Sequence, residues 1–229
     1  MRPPKPRPGA VLFDMDGLLV DSEPLWFEVE RSVMARLGGT WGEEDQRALL
    51  GGSLDRSVTY MLMKATEGNG ARPGRTAGPD EVGRWLVEGM AEEIARKGLP
   101  LQPGASGLLA AVADAGLPHA LVTSSQRLIM DAVLAATSVK FPVTVCGEDV
   151  EHGKPAPDPY LRAATLLGAG PATCVALEDS PSGIAAAQAA GCAVIAVPTI
   201  PIPPTPGLVI VGSLREVDLD MLASVTPAT

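Results

Sequence analysis

Four apolar runs in this sequence end in side chains that can do chemistry. AVLF (10–13) leads into Asp14-Met15-Asp16-Gly17, HALV (119–122) into Thr123-Ser124-Ser125, and TCVAL (173–177) into Glu178-Asp179. FPVTV (141–145) is followed by Glu148-Asp149 and then by Gly153-Lys154-Pro155. Carboxylates from two such ends make a hard oxygen site for Mg²⁺, which commonly takes one or two carboxylates and keeps positions for water and phosphate oxygens. A carboxylate is also a nucleophile able to form an acyl-phosphate. Two anions approach each other only when a metal and a lysine mask the repulsion. A hydroxyl such as Thr123, with nearby backbone N–H groups, can hold phosphoryl oxygens. Asp16, two residues past Asp14, can protonate a leaving alkoxide and then serve as the base for water. Gly17 permits the sharp turn that brings both carboxylates near one point.

Each piece alone has a plainer reading. DxDG is often an Asx turn, Thr123-Ser124 are ordinary helix caps, and Lys154-Pro155 is a loop with a solvated ammonium. Glu178-Asp179-Ser180 suits the start of a helix dipole. Their joint occurrence, in this order and each at or just beyond a strand end, favours the chemical reading, because open parallel sheets bind ligands there. His119 and His152 occupy no paired position and read as structural.

The elements that would position these residues are legible too. Beside the runs beginning at Ala10 and covering 119–125, 141–147 and 173–179 stand CAVIAVP (192–198) and a candidate sixth, LVIVGSL (208–214). Apolar runs without polar alternation read as strands buried on both faces of a parallel sheet. Helical patterns separate them at 104–116, 126–137, 158–168 and 180–191. Asp158 and Ser180 are expected as N-caps, with Pro159 and Pro181 in the first turns. Strand–helix alternation over 104–220 predicts an α/β fold, a doubly wound parallel sheet. Residues 22–100 break the rhythm, with helices at 24–38, 54–66 and 80–98 (the last capped by Asp80 and closed by Gly98) and no strands. EGNGARPGRTAGP (67–79) between two of them reads as a mobile loop. The expected division is a core of 1–21 and 101–229 with a helical cap of 22–100 inserted after the first strand. Closure of that cap predicts a hinge near 18–22 and 99–103.

Composition limits the partners. The 229 residues are 46% hydrophobic, 20% charged and 3% aromatic, so the core must come from Ala, Val, Leu and Ile. A net charge of −9 repels nucleic acid and anionic lipid, and a phosphorylated substrate would need a local positive site. The apolar stretches fall short of the ~18 residues a membrane span needs. MRPPKPRPG lacks an apolar segment behind its basic residues and reads as a disordered arm, not a secretory signal. Cys146, Cys174 and Cys192 have no framework spacing, which predicts buried, reduced thiols in a cytoplasmic protein. With no distinct association surface, the expected state is a monomer acting on a small phosphorylated metabolite.

These motifs resemble those of the haloacid dehalogenase superfamily: the strand into Asp14-Met15-Asp16-Gly17, the strand ending in Thr123, Lys154 in GKPAPDPY, and Glu178-Asp179 in ALEDSPSGIAAAQAAG. The resemblance extends over essentially the whole chain from Ala10. It implies a Rossmann-like core with an inserted helical cap. It implies Asp14 as nucleophile, Asp16 as acid/base, and Mg²⁺ bound by Asp14, the Asp16 carbonyl and Asp179, supported by Glu178. Thr123, Ser124 and Lys154 would grip the phosphoryl group. Within the superfamily, DMDGLLVDSEPLWFEVE is similar to the sugar-phosphate phosphatases of the β-phosphoglucomutase-like group. The mutases themselves carry a His twelve positions after the nucleophile, where this chain has Trp26, and a cap Arg where the best alignment gives Leu54, two residues from Arg56. A phosphatase is therefore expected ahead of a phosphohexomutase. A response-regulator receiver, which also groups acids, a Thr/Ser and a Lys around Mg²⁺, leaves no room for an ~80-residue helical insertion after its first strand.

Overall fold

The computed structural model describes residues 7–49, 52–68, 77–205 and 207–226. The expected N-terminal arm and the Gly/Pro-rich loop fall largely outside them. Two compact units emerge, one of Met1–Asp21, Pro100–Ser124 and Ser138–Thr229, the other of Ser22–Leu99 and Ser125–Thr137.

In the first unit β1 (Ala10–Phe13), β2 (His119–Val122), β3 (Val143–Val145), β4 (Cys174–Glu178), β5 (Ala193–Ala196) and β6 (Leu208–Ile210) form one parallel sheet in the order β3-β2-β1-β4-β5-β6. This is the Rossmann-like, doubly wound order, with the chain reversing direction at β1. Every residue of β1, β2 and β4 is buried, which is why these strands show no polar alternation. The register sets Phe13 beside Leu121 on one flank and Leu177 on the other, so the residues that follow leave the sheet together. Helices α5 (Ala105–Asp114), α7 (Asp158–Leu166), α8 (Pro181–Ala189) and α9 (Leu219–Val225) complete this unit. Small residues do the packing: Ala163, Ala164, Ala186 and Ala187 press against Leu12, Ala120, Ala176 and Val194 around Tyr160. Cys146, Cys174 and Cys192 are buried and free, as expected.

The second unit holds α1 (Glu23–Arg36), α2 (Glu43–Leu49), α3 (Leu54–Gly68), α4 (Pro79–Lys97) and α6 (Arg127–Thr137). Along α4, Val82, Leu86, Met90 and Ile94 make a buried stripe at i, i+4 spacing. α6 follows β2 in the chain, yet packs against α4. Gly89 lets α1 approach closely, since a Cβ there would lie 3.1 Å from Val29 Cγ1. No helix among the described residues is long and apolar enough to cross a membrane.

Ser180 caps α8 as expected, its Oγ accepting from Gly183 N at 3.1 Å. The other two expected caps differ. α4 begins at Pro79 behind Gly78, and α7 at Asp158 behind Pro157, so Asp80 and Asp158 lie inside their first turns. Proline tolerates those positions because its missing N–H has no intrahelical partner there, and the carboxylates meet the positive end of the dipole instead of capping it. The short, polar α2 lacked enough apolar period to be foreseen.

The helical unit also buries charge. Glu30 accepts Trp41 Nε1 at 3.1 Å, and Asp45 accepts Gly42 N at 2.8 Å, Tyr60 OH at 2.9 Å and Lys64. Burial, with the negative Glu23 and Asp45 nearby, pushes the Glu30 carboxyl from 4.5 to about 7 against the opposing Trp41 bond. The fold thus favours protonated Glu30. Stability must fall as pH rises from the ordinary carboxylate range through about 7, by on the order of 3 kcal/mol at full ionisation. Glu30→Gln, which keeps an acceptor for Trp41, is expected to match wild type in thermal midpoint near about pH 5 and exceed it near about pH 8. Thermal unfolding across that range checks this; a variant no more stable than wild type at the higher pH would contradict it.

Candidate active site

The register of the sheet builds the site. Asp14 N donates to Leu177 O at 3.0 Å, carrying the β1–β4 pairing one residue past the strand and setting Asp14 beside Glu178. Beyond Asp14 the chain turns tightly, with Gly17 N bonded to Val20 O at 2.9 Å and Gly17 at φ 84°. Only glycine fits there: a Cβ on Gly17 would stand 2.2 Å from Asp179 Oδ2. The turn returns Asp16 toward β2, where Thr123 Oγ1 donates to Asp16 Oδ2 at 3.3 Å. Ser124 is exposed beside Thr123.

Lys154 joins three of these strand ends. Its Nζ, on a side chain 3% exposed, lies 2.6 Å from Asp14 Oδ1, 2.6 Å from Glu178 Oε1 and 3.0 Å from Val122 O. Three ammonium protons meet three acceptors. Burial alone would lower the Lys154 pKa, but Asp14 and Glu178 outweigh it and hold the amine above its usual range. Glu178 is fully buried. Its Oε1 also accepts Tyr160 OH, and its Oε2 accepts Asp179 N at 3.2 Å and Ser180 Oγ at 3.3 Å. Asp179 Oδ2 accepts Thr199 Oγ1 at 2.9 Å. Burial first, then the charges of Glu178 and Asp14, keep the Tyr160 phenol protonated well above the usual range, so it is a donor.

Carboxylate oxygens of Asp14, Glu178 and Asp179 lie within 4.8 Å of one another. Burial, then Glu178, raises Asp14 well above the ordinary carboxylate range and pushes Asp179 up to about 7. Three buried carboxylates thus face one ammonium, and the surplus negative charge disfavours ionisation of Asp14 and Asp179. A divalent cation would offset that surplus, and an all-oxygen donor set suits a hard ion such as Mg²⁺. The residues fit the metal.

Asp14, Asp16, Thr123, Lys154, Glu178 and Asp179 therefore come together, and the two histidines lie elsewhere. The two histidines have partners of their own: His152 Nδ1 is 3.0 Å from Asp158 Oδ2, and His119 Nδ1 is 2.9 Å from Leu117 O. Tyr160 and Thr199 were not foreseen. Tyr160 stands in an amphipathic helix where a ring suggests core, and its hydroxyl was the only signal. Thr199 lies in a Pro-rich stretch without periodicity.

Gly183 closes the space behind Glu178, since a Cβ there would fall 1.9 Å from Glu178 Oε1. Gly183→Ala improves helix propensity by up to about 1 kcal/mol, so a propensity argument predicts a more stable, active protein. The overlap instead predicts that Glu178 is displaced and turnover falls by at least about tenfold. Steady-state rates per folded molecule decide between them.

Residues 11–197 match the family model of haloacid dehalogenase-like hydrolases. Protein CbbY of Rhodobacter capsulatus is 35% identical over 199 residues, covering 83% of this chain and 85% of its own length. Hexitol phosphatase A of Escherichia coli is 36% identical over 189 residues, 81% of each chain. A crystal structure of a CbbY variant from Rhodobacter sphaeroides, in complex with xylulose-(1,5)bisphosphate, superposes with TM-score 0.80 at 27% identity, covering 91% of this chain and 96% of that one. The chain belongs to the haloacid dehalogenase-like hydrolase family, among its phosphoric monoester hydrolases.

Proposed function

We propose that this enzyme hydrolyses small sugar or polyol phosphate monoesters, with Mg²⁺, through an aspartyl-phosphate on Asp14. The observation that carries the reading is the buried Lys154 ammonium, 2.6 Å from both Asp14 and Glu178, at the centre of the acidic cluster. The sugar class rests on the relatives, one named for hexitol phosphates and one seen with a sugar bisphosphate.

Asp14, Asp179 and the Asp16 main-chain carbonyl would hold Mg²⁺, with Glu178 in support; the ion supplies positive charge that lets an anionic carboxylate meet an anionic phosphate. Asp14 attacks phosphorus through a carboxylate oxygen as the bond to the sugar oxygen breaks, and Asp16 gives that oxygen its proton. Asp16 then takes a proton from water, whose oxygen forms the new bond to phosphorus. The Asp14–phosphorus bond breaks, and inorganic phosphate and free Asp14 result. Thr123 and Ser124 hold phosphoryl oxygens in this scheme. Lys154 anchors Asp14 and neutralises the transferred group. The inserted helical segment 22–100 serves as the cap in this scheme. The chain passes between the two units at Asp21–Ser22, Leu99–Pro100, Ser124–Ser125 and Thr137–Ser138, and Val20 bridges Leu101 next to the first two crossings.

A mutase finds less support. Half-buried Trp26 stands where the related mutases carry His, and Arg56 gives its guanidinium to Ala48 O at 2.7 Å. A panel of sugar and polyol phosphates, assayed for phosphate release with Mg²⁺ and with chelator, tests the reading. Release is expected to need Mg²⁺ and to drop by about 10³-fold or more in Asp14→Asn. No release from any ester, or an Asp14→Asn enzyme equal to wild type, would overturn it.

A further inference from the structure

We infer that Tyr160 is a positioning residue for this reaction: its hydroxyl fixes Glu178 so that Lys154 is held on Asp14. The inference rests on Asp14 being the nucleophile, as proposed above.

Tyr160 is fully buried in the first turn of α7, among Ala163, Ala164, Cys174 and Ile184. A phenylalanine would fill this apolar space with no polar atom to satisfy. The hydroxyl is instead spent on one acceptor, Glu178 Oε1. That same oxygen accepts Lys154 at 2.6 Å, and the Lys154 ammonium stands 5.1 Å from the Tyr160 ring centroid. Glu178 and Asp14 compete for one ammonium at equal distance. A second donor on Oε1 satisfies part of the Glu178 charge and moderates its pull on Lys154. Without the hydroxyl, Lys154 becomes the main donor to Oε1 and is drawn from Asp14 toward Glu178. Glu178 itself cannot retreat: Gly183 lies against its carboxylate, and Oε2 is tied to Asp179 N and Ser180 Oγ. The movable partner is the lysine. Tyr160 acts through Lys154 and touches no reacting atom.

A nucleophile whose lysine has been drawn away slows the chemical step more than it weakens substrate binding. Tyr160→Phe and Tyr160→Leu, as full-length chains saturated with Mg²⁺, should be compared with wild type on p-nitrophenyl phosphate and on the best ester of the panel. Rates are taken per folded molecule, with folding followed by circular dichroism. Tyr160→Phe is expected to fold, to keep KM within about twofold, and to lose kcat about 10- to 100-fold, the worth of one charge-assisted hydrogen bond. Tyr160→Leu should lose stability as well, because it removes the ring, while its kcat falls no less than that of Tyr160→Phe. A Tyr160→Phe enzyme with wild-type kcat, or with its defect confined to KM, overturns the inference and leaves the phosphatase reading standing. Wild type that releases no phosphate, or an active Asp14→Asn, overturns both.

Discussion

Lys154 places one ammonium, almost wholly withdrawn from water, 2.6 Å from carboxylates at the ends of two neighbouring strands and 3.0 Å from the backbone of a third. Burying a charge is costly unless every proton it carries finds an acceptor. Here the three acceptors come from β1, β2 and β4, so the cost is met only when the sheet register is correct. Slipping any of these strands by one residue would send its terminal side chain to the opposite face. The same ammonium offsets part of the repulsion among Asp14, Glu178 and Asp179, and burial has already raised Asp14 and Asp179 toward neutrality. Register, burial and charge are thus one constraint seen three ways.

The supporting contacts follow from that constraint. Gly17 and Gly183 leave room for carboxylates at positions where any side chain would overlap them. Ser180 serves two ends at once, capping α8 through Gly183 N while its hydroxyl faces Glu178 Oε2. Thr199 holds Asp179 from beyond β5, and Tyr160 holds Glu178 from α7. The cluster of acids is therefore oriented by neutral donors on several different elements. Such orientation keeps the oxygens turned toward a common point before any cation arrives.

Much of this was legible in the sequence, for identifiable reasons. Strands buried on both faces leave continuous apolar runs, so AVLF, HALV and CVAL declared themselves and their ends named Asp14, Thr123 and Glu178. Parallel topology then required those ends to share an edge. Lys154 followed from the loop after the FPVTV run, and the family motifs gave it a role, although its partner Asp14 lies 140 residues away in sequence. What escaped depended on tertiary contact. Tyr160 and Thr199 have no spacing that separates a carboxylate-holding hydroxyl from a packed ring or a turn. The caps at Asp80 and Asp158 were misplaced because the adjacent prolines entered the first turn with them. α6 obeys the strand–helix alternation but packs on α4, a tertiary choice that chain order does not announce.

Formation of a phosphorus bond at Asp14 is the claim on which the chemistry stands, and it can be seen directly. The enzyme would be mixed with substrate and Mg²⁺, quenched in acid within one turnover, and treated with borohydride, which reduces an aspartyl-phosphate to homoserine. Peptide mass spectrometry should then find the reduced residue at position 14 alone, and only when substrate was present. Phosphate released in the same sample while the peptide bearing Asp14 stays unmodified, or reduction at a different carboxylate, would contradict the account.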